Sequence, residues 1–330
     1  MPYAFVSHRL DCGGMDILSG LLDGPRADGA FLLRSVFEPP WSLRIRDRAP
    51  LSVVVVARGT AWVVPTDGGP IRLDRGDLVL VRGPAPYTVA DDPQTPPQVF
   101  VEPGQVCTDA SGRSLSAEMM LGLRTWGNAT DGATTMVTGT YERASAVSER
   151  LLRALPETVV LRGDAWSSDL VTLLCTEMQR DVPGQEVFLD RLLDLVVLSA
   201  VRSWLNDQED AAPGWYRAAT DPVVGPALQA LHLRVADPWT VGTLAAEVRV
   251  SRAVLARRFT SVVGEPPMSY LTSLRLALAA DLLERTDRTL TSIAHEVGYA
   301  SPFALSAAFS RERGVSPTAY RSRTRDRPPA

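Results

Sequence analysis

The sequence from Trp239 to Tyr320 contains the same helical pattern in two copies. The first copy is Trp239-Thr-Val-Gly-Thr-Leu-Ala-Ala-Glu-Val-Arg-Val-Ser-Arg-Ala-Val-Leu-Ala-Arg-Arg-Phe259, followed by Gly264-Glu-Pro-Pro-Met-Ser-Tyr270. The second is Leu290-Thr-Ser-Ile-Ala-His-Glu-Val-Gly-Tyr-Ala-Ser-Pro-Phe-Ala-Leu-Ser-Ala-Ala-Phe309, followed by Gly314-Val-Ser-Pro-Thr-Ala-Tyr320. When Ser251 is aligned with Ser301, both copies place apolar residues at matching positions and end in Gly, Pro and Tyr. This repeat decides the fold of the last third of the chain.

Each copy predicts a helix-turn-helix. In the first copy, Leu244, Ala245 and Val248 recur at helical spacing, and Ser251 is placed to cap the helix that follows. That second helix would bury Leu255 and leave its other face free. A helix of this kind fits the major groove of DNA and offers its N-terminal side chains to base edges. Two such motifs with matching ends are a far more specific signal than one.

With these motifs the sequence resembles the AraC/XylS-type transcriptional regulators. The resemblance implies an all-α DNA-binding domain in which a long helix, here residues 267–285, joins the two motifs. It places two sets of side chains toward DNA: Arg252, Ala253, Ala256 and Arg257 in the first motif, and Ser301, Pro302, Phe303, Ser306 and Ala307 in the second. For the second motif, contact of Phe303 with thymine methyl groups and binding to the DNA backbone alone both remain open. Packing of Phe303 in the protein core is a third alternative. Arg258 lies off the predicted face and is expected to contact phosphate or the protein.

Charge is distributed unevenly along the chain. The net charge is −4, but residues 216–330 carry 15 Arg and 10 acidic residues, and the remainder carries 19 Arg and 28 acidic residues. This asymmetry is typical of a sensing domain joined to a nucleic-acid-binding domain. No apolar run approaches ~18 residues, and the N-terminus lacks the layout of a signal peptide, so we expect a cytoplasmic protein without membrane contact.

Short strands and turns dominate the sequence from Ala30 to about Tyr141, which predicts an antiparallel β-barrel or jelly roll. The run from Leu73 to Tyr87 resembles the second half of a cupin. Metal-binding cupins carry histidine where this chain has Tyr87, and the three histidines of the chain lie outside the predicted barrel. We therefore expect no metal, no cofactor and no catalytic residues. The predicted class is α+β, with a cupin-like barrel and helical tail before the helix-turn-helix domain.

A ligand pocket in the barrel is a further expectation, with Trp41, Arg44, Trp62, Tyr87 and Phe100 as candidate lining residues. Packing in the core is the alternative explanation for these aromatic residues. The three cysteines are widely spaced and show neither a zinc pattern nor a disulfide framework, which predicts reduced thiols.

Two amphipathic helices are predicted after the barrel, at residues 169–180 and 187–204. The second has a wide apolar stripe, which predicts a homodimer formed through residues 169–205, unless the stripe packs entirely against its own domain. The expected organisation is a sensor and dimerisation domain at 1–205, a linker at 206–220, the DNA-binding domain at 221–322 and a basic tail at 323–330.

The function that these patterns predict is sequence-specific binding of double-stranded DNA by a ligand-responsive transcriptional activator. Each monomer would contact two successive major grooves, and an activator would also contact RNA polymerase. The alternative is a cupin-fold enzyme or small-molecule carrier with an appended helical domain, which the missing histidines disfavour.

Overall fold

The computed structural model describes residues 30–142, 152, 155–163, 166, 168–208, 218 and 221–325. The strands are β1 (Phe31–Phe37), β2 (Ser42–Ile45), β3 (Leu51–Arg58), β4 (Ala61–Val64), β5 (Ile71–Leu73), β6 (Leu78–Arg82), β7 (Tyr87–Ala90), β8 (Val99–Glu102), β9 (Val106–Thr108), β10 (Met120–Gly122), β11 (Thr125–Gly127), β12 (Thr134–Tyr141) and β13 (Thr158–Leu161). The helices are α1 (Ser168–Glu177), α2 (Gln185–Asp207), α3 (Val224–Leu233), α4 (Val241–Glu247), α5 (Arg252–Val263), α6 (Pro267–Arg285), α7 (Leu290–Glu296), α8 (Pro302–Arg313) and α9 (Pro317–Arg325). No helix within the described ranges has the length and apolar character needed to cross a bilayer.

The strands form two sheets that pack face to face. The seven-stranded sheet has the order β10-β11-β1-β12-β3-β6-β13, and the six-stranded sheet has the order β5-β4-β7-β2-β8-β9. Most neighbouring strands are antiparallel, but β1 pairs with β11 and β2 pairs with β8 in parallel. The predicted order of a β domain followed by a helical domain is confirmed, although in the described residues the sheets are mixed and do not close into a barrel. The parallel partners lie many strands apart in the sequence, so the short turns between successive strands do not reveal them.

The unbroken run of valines in the sequence lies in strand β3. Val53 and Val55 belong to the hydrophobic cluster beneath the helices, and Val54 and Val56 belong to the cluster between the two sheets. Because successive side chains point to opposite faces, a strand covered on both sides must be apolar at every position. The seven-stranded sheet is thus the middle layer, with the smaller sheet on one face and α1 and α2 on the other.

Helix α2 approaches the seven-stranded sheet most closely at Gly139. A Cβ at this position would come within 2.4 Å of Leu193 Cδ1, so a larger residue would force the Leu193 side chain to move. Beside this contact, Tyr141 Oη donates a hydrogen bond to Asp194 Oδ1 over 3.2 Å. A glycine and a polar anchor therefore fix where the helix lies on the sheet.

The apolar stripe of α2 is covered within its own chain. All of its members are buried: Leu189, Leu192, Leu193, Val196, Val197, Ala200, Val201 and Leu205. The stripe is therefore not the surface on which a second subunit could dock, and packing against the chain's own domain accounts for its width. The apolar residues that α2 does expose are Val187, Phe188 and Leu195, on a different face.

Buried residues of α2 to α6 belong to one continuous hydrophobic cluster, whereas α7 and α8 share a second cluster with the end of α6. Helix α2 continues to Asp207, and α9 continues to Arg325. Most of the predicted linker at 206–220 and the end of the predicted tail at 323–330 lie outside the described residues.

Candidate nucleic-acid interface

Helices α4 and α5 form the first helix-turn-helix, and α7 and α8 form the second. Every one of these helices begins with a hydroxyl side chain that accepts a backbone hydrogen bond, because the first amides of a helix lack partners within it. The capping residues are Thr240, Ser251, Thr289 and Ser301. The caps at Ser251 and Ser301 confirm the start of each second helix that the sequence predicted.

The two motifs differ by one residue, and that residue lies in the turn. After α4 the left-handed position of the turn is Arg249, with φ of 57°, and after α7 it is Gly298, with φ of 84°. The next amide in each motif donates to an equivalent carbonyl, from Val250 to Ala245 and from Tyr299 to Ala294. The second turn then contains one additional residue before Ser301. Because of this insertion, Leu244 corresponds to Ile293, 49 positions later, whereas Ser251 corresponds to Ser301, 50 positions later.

An edge-to-face aromatic pair closes each motif on the same side. The rings of Phe259 and Tyr270 are 5.7 Å apart, and those of Phe309 and Tyr320 are 5.3 Å apart. Phe259, Tyr270 and Phe309 are almost fully buried. The Gly-Pro-Tyr end of each sequence copy is therefore the start of the next helix, whose tyrosine packs back on the recognition helix.

The first recognition helix, α5, presents the predicted residues on its outer face. Arg252, Ala253 and Arg257 are exposed, and Ala256 is half-buried. The Arg252 guanidinium lies against Gly242, where a Cβ would come within 2.8 Å of its Nε. Within the described part of the chain, neither Arg252 nor Arg257 forms an ion pair, so both cations are available to an external anion or base.

Arg258 lies off this face and is bound within the protein. Its Nε donates to both carboxylate oxygens of Asp221, at 2.9 and 3.1 Å. Asp221 also accepts the backbone amides of Val223 and Val224 at the start of α3. Burial opposes ionisation of Asp221, but the hydrogen bonds from these amides and from Arg258 lower its pKa below the ordinary value. Arg258 therefore fastens α5 to α3, the structural role left open by the sequence.

The second recognition helix, α8, presents a different chemistry at the equivalent positions. Ser301, Pro302 and Ser306 are half-buried, Ala307 is exposed, and Phe303 is 85% exposed. Packing of Phe303 in the core, one of the alternatives left open by the sequence, is therefore wrong. The outer face of α8 has no cation at the positions that match Arg252 and Arg257.

Contacts that the sequence did not predict join the two motifs. Arg275 of α6 donates from Nε to the carbonyl of Val235 at 2.9 Å and from Nη2 to that of Asp237 at 2.6 Å. Gly298, in the turn of the second motif, lies against Ala236 in the same loop, where a Cβ would come within 2.7 Å of the Ala236 Cα. The loop before the first motif is thus held by both the joining helix and the second motif. The local sequence signal of this contact is the glycine at position 298, which the positive φ of the turn favours.

The five candidate pocket residues do not lie on one face of the sensor domain. Trp41 and Tyr87 are buried in the cluster between the sheets, where Tyr87 hydrogen-bonds Ser52 and burial raises its pKa. The other three, Arg44, Trp62 and Phe100, are half-buried on the outer face of the six-stranded sheet. There Arg44 donates to Thr88 at 3.0 Å.

A cluster of three aromatic residues between the sheets was not predicted from the sequence. Phe37 stacks on Trp41 with ring centroids 4.7 Å apart, and it meets Trp126 edge-to-face at 6.0 Å. Both indole N–H groups are buried, and neither has a hydrogen-bond partner among the described residues. Such donors are costly to bury unpaired. Trp126 was missed because it lies on the short strand β11, which no alternating pattern marks.

Among the described residues, no group of three or more His, Cys, Asp or Glu side chains is arranged to hold a metal ion. The described cysteines, Cys107 and Cys175, are free and half-buried. Burial raises the pKa of the Cys107 thiol to about 11, which disfavours its reactive thiolate form.

The chain is similar to known proteins over nearly its whole length. A cupin family model matches residues 16–206, and a helix-turn-helix domain model matches residues 244–323. A putative AraC-like transcription regulator from Streptomyces lividans is 33% identical over 287 residues, which are 85% of this chain and 90% of that protein. The HTH-type transcriptional regulator AlkR from Acinetobacter baylyi is 27% identical over 316 residues, which are 94% of this chain and all of the relative.

Among solved structures, the DNA-binding domain of AdpA in complex with a target DNA is similar to the C-terminal part. Its sequence identity is 37% and its TM-score is 0.32, and the match covers 33% of this chain and 98% of that one.

The cupin match alone covers more than half of the chain, and the helix-turn-helix match covers nearly all of the repeat between Trp239 and Tyr320. The relatives from Streptomyces and Acinetobacter are matched across both parts, in the same order along the chain. The predicted pairing of a cupin-type domain with a double helix-turn-helix is confirmed, and the chain belongs to the family of AraC-like transcription regulators.

Proposed function

We propose that each monomer binds DNA sequence-specifically by placing α5 and α8 in two successive major grooves on one face of the duplex. The observation that carries this proposal is the rigid connection between the motifs, in which Arg275 and Gly298 both hold the loop at residues 235–237. Two recognition helices with fixed spacing suit grooves one helical turn apart, about 34 Å along the duplex.

In the first groove, Arg252 and Arg257 are the residues with hydrogen-bonding power. A guanidinium can bind guanine O6 and N7 with two parallel hydrogen bonds, which specifies a base pair as well as attracting the duplex. Ala253 and Ala256 lie between them and allow close approach to the bases. In the second groove the contacting residues are Ser301, Pro302, Phe303, Ser306 and Ala307.

Selection of bound sequences from random duplexes, followed by footprinting of the full chain, tests this function. The expected result is a preferred sequence with two protected major-groove patches one turn apart on one face. A single patch on the preferred sequence would show that only one motif enters a groove.

The alternative function, a cupin enzyme or carrier, has less support. The chain belongs to a family of regulators, and a metal-dependent cupin would need imidazole ligands that the sensor domain lacks at Tyr87. We infer that the chain is a regulator without catalytic residues. Metal analysis of the purified protein discriminates the two functions, because stoichiometric bound metal would favour the enzyme.

We propose that the sensor domain binds an effector at one of two separate positions. One is the interior around Trp41 and Trp126, where a ligand oxygen could accept the unpaired indole N–H groups. The other is the outer face around Arg44, Trp62 and Phe100. Quenching of tryptophan fluorescence by a ligand, compared between Trp41→Phe and Trp62→Phe, would assign the position.

A homodimer remains part of the proposal, with a changed interface. Phe188 and Leu195 of α2 are 48% and 47% exposed, seven residues apart on one face. Covering them with the same face of a second copy removes apolar surface from water and brings two DNA-binding domains together. In this account the regulator works in the cytoplasm and, as an activator, contacts RNA polymerase.

A further inference from the structure

Phe303 is the most exposed large apolar side chain among the described residues, with 85% of its surface open to solvent. It is the second residue of α8, after the capping residue Ser301 and Pro302 at the first helical position. An exposed phenyl ring forgoes the roughly 1.5–3 kcal/mol that its burial would contribute. Its position at the N-terminal end of a recognition helix suggests a partner outside the protein.

The two recognition helices match position by position, and Phe303 stands where α5 has Ala253. At the four matched positions α5 carries two guanidinium groups, whereas α8 carries three apolar side chains and one hydroxyl. The matched pairs are Arg252 with Pro302, Ala253 with Phe303, Ala256 with Ser306 and Arg257 with Ala307. The second motif therefore cannot recognise guanine through an arginine at any of these positions.

An apolar side chain in the major groove has one distinctive target on the bases, the 5-methyl group of thymine. Cytosine has a hydrogen in place of this methyl, and the purines present mainly hydrogen-bonding atoms at the groove floor, which a phenyl ring cannot satisfy. We propose that α8 recognises a 5-methylpyrimidine through Phe303, so that the two half-sites are distinguished by different chemistry: guanidinium to guanine in the first and phenyl to methyl in the second. This inference rests on the proposed function, because it requires α8 to lie in a major groove.

Methyl deletion on the DNA tests the contact without altering any base pair. In the preferred duplex, each thymine of the second half-site is replaced in turn by deoxyuridine, which lacks only the methyl group. Binding of the full chain is expected to weaken about fourfold at one or two of these positions, the effect of uncovering one methyl-sized group. Replacing the sensitive T·A pair by 5-methylcytosine·G should weaken binding less than replacing it by unmodified C·G.

The protein side is tested with Phe303→Ala and, as matched control, Arg257→Ala on the same duplexes. Phe303→Ala should bind the thymine and deoxyuridine duplexes equally, whereas Arg257→Ala should bind both more weakly and keep the fourfold difference between them. Phe303→Leu, which stays apolar, should keep part of the difference. Circular dichroism checks that each variant is folded, which is expected because Phe303 has little contact with the core.

Two results overturn the methyl contact: no thymine in the second half-site is sensitive to deoxyuridine, or the sensitivity persists in Phe303→Ala. Equal weakening of all sequences by Phe303→Ala would overturn it as well, since a ring that stacks or packs against the backbone carries no base preference. In each of these cases the wild-type footprint still shows two protected patches. Loss of that footprint is a different result, which would refute the proposed function itself.

Discussion

Gly298 lies so close to Ala236 that an added Cβ would be 2.7 Å from the Ala236 Cα and 2.8 Å from its carbonyl oxygen. The two residues belong to different halves of the DNA-binding domain: Ala236 precedes the first motif, and Gly298 forms the turn of the second. Arg275 reinforces the same junction from the helix between them. The spacing of the recognition helices therefore depends on a backbone contact that tolerates only glycine.

Gly298→Ala should destabilise the domain and weaken binding to a two-part DNA site. Its matched control is Gly314→Ala, since Gly314 also has a positive φ, of 70°, but has no atom within 4 Å of an added Cβ. The control should lose roughly 1–2 kcal/mol from the unfavourable backbone conformation alone. Gly298→Ala should lose more, because its methyl also meets backbone. Thermal unfolding of the full-length variants measures the difference, and equal losses would show that the contact is unimportant.

Arg257→Ala should lower affinity for the preferred site by about 1–3 kcal/mol and relax the preference at one or two base pairs. The physical reason is the loss of a guanidinium that no carboxylate in the described chain neutralises. Arg191→Ala on the exposed face of α2 is the charge-matched control and should leave the base preference unchanged. Equal weakening on all sequences would assign Arg257 to phosphate.

Arg258→Ala should reduce stability and leave base preference intact, because its guanidinium is bound to Asp221. The expected loss is about 1 kcal/mol, discounted for the partial exposure of Arg258. A double-mutant cycle with Asp221→Asn should give a positive coupling energy between the two side chains. Additive losses would mean that the pair contributes nothing beyond each residue's other contacts.

The same carboxylate predicts a pH dependence. Because the folded-state pKa of Asp221 is lowered, its contribution to stability is present above the unfolded-state pKa of about 3.9 and is lost as pH falls through the folded-state value. The Tm of the wild-type protein should therefore fall further than that of Asp221→Asn when the pH is lowered below about 4. Parallel curves for the two proteins would contradict the lowered pKa.

If α2 forms the dimer interface, substitutions at an exposed and at a buried position of this helix should have different effects. Leu195→Arg, at an exposed position, should give folded monomers, whereas Val197→Arg, at a buried one, should unfold the sensor domain. Light scattering measures the mass, and circular dichroism measures the fold. A wild-type chain that is monomeric at high concentration would overturn the dimer, and dimers that persist in Leu195→Arg would place the interface elsewhere.

The helical domain was predictable because its signals are local and repeated. The capping serines, the apolar spacing and the Gly-Pro-Tyr ends each specify a structure within a few residues, and all of them appear twice. The single-residue difference between the motifs was not predicted, and the backbone shows that it falls between Tyr299 and Ser301.

The sensor domain was less predictable because its organisation is non-local. The parallel pairing of β1 with β11 leaves no trace in the turns between strands. Strand order also decides whether Tyr87 and Trp62 can line one cavity, and the register places them on opposite faces of the six-stranded sheet. For α2, the width of the apolar stripe likewise could not show whether the residues that bury it belong to the same chain or to a second subunit.

If one monomer binds two major grooves with a fixed spacing, a change of that spacing in the DNA should abolish simultaneous binding of both half-sites. Once the preferred site is known, five base pairs, about half a turn, are inserted between its two halves. Footprinting of the full chain should then show protection of the first half-site only, because rigidly joined helices cannot reach a groove that has rotated to the opposite face. Simultaneous protection of both halves at unchanged affinity would contradict the account.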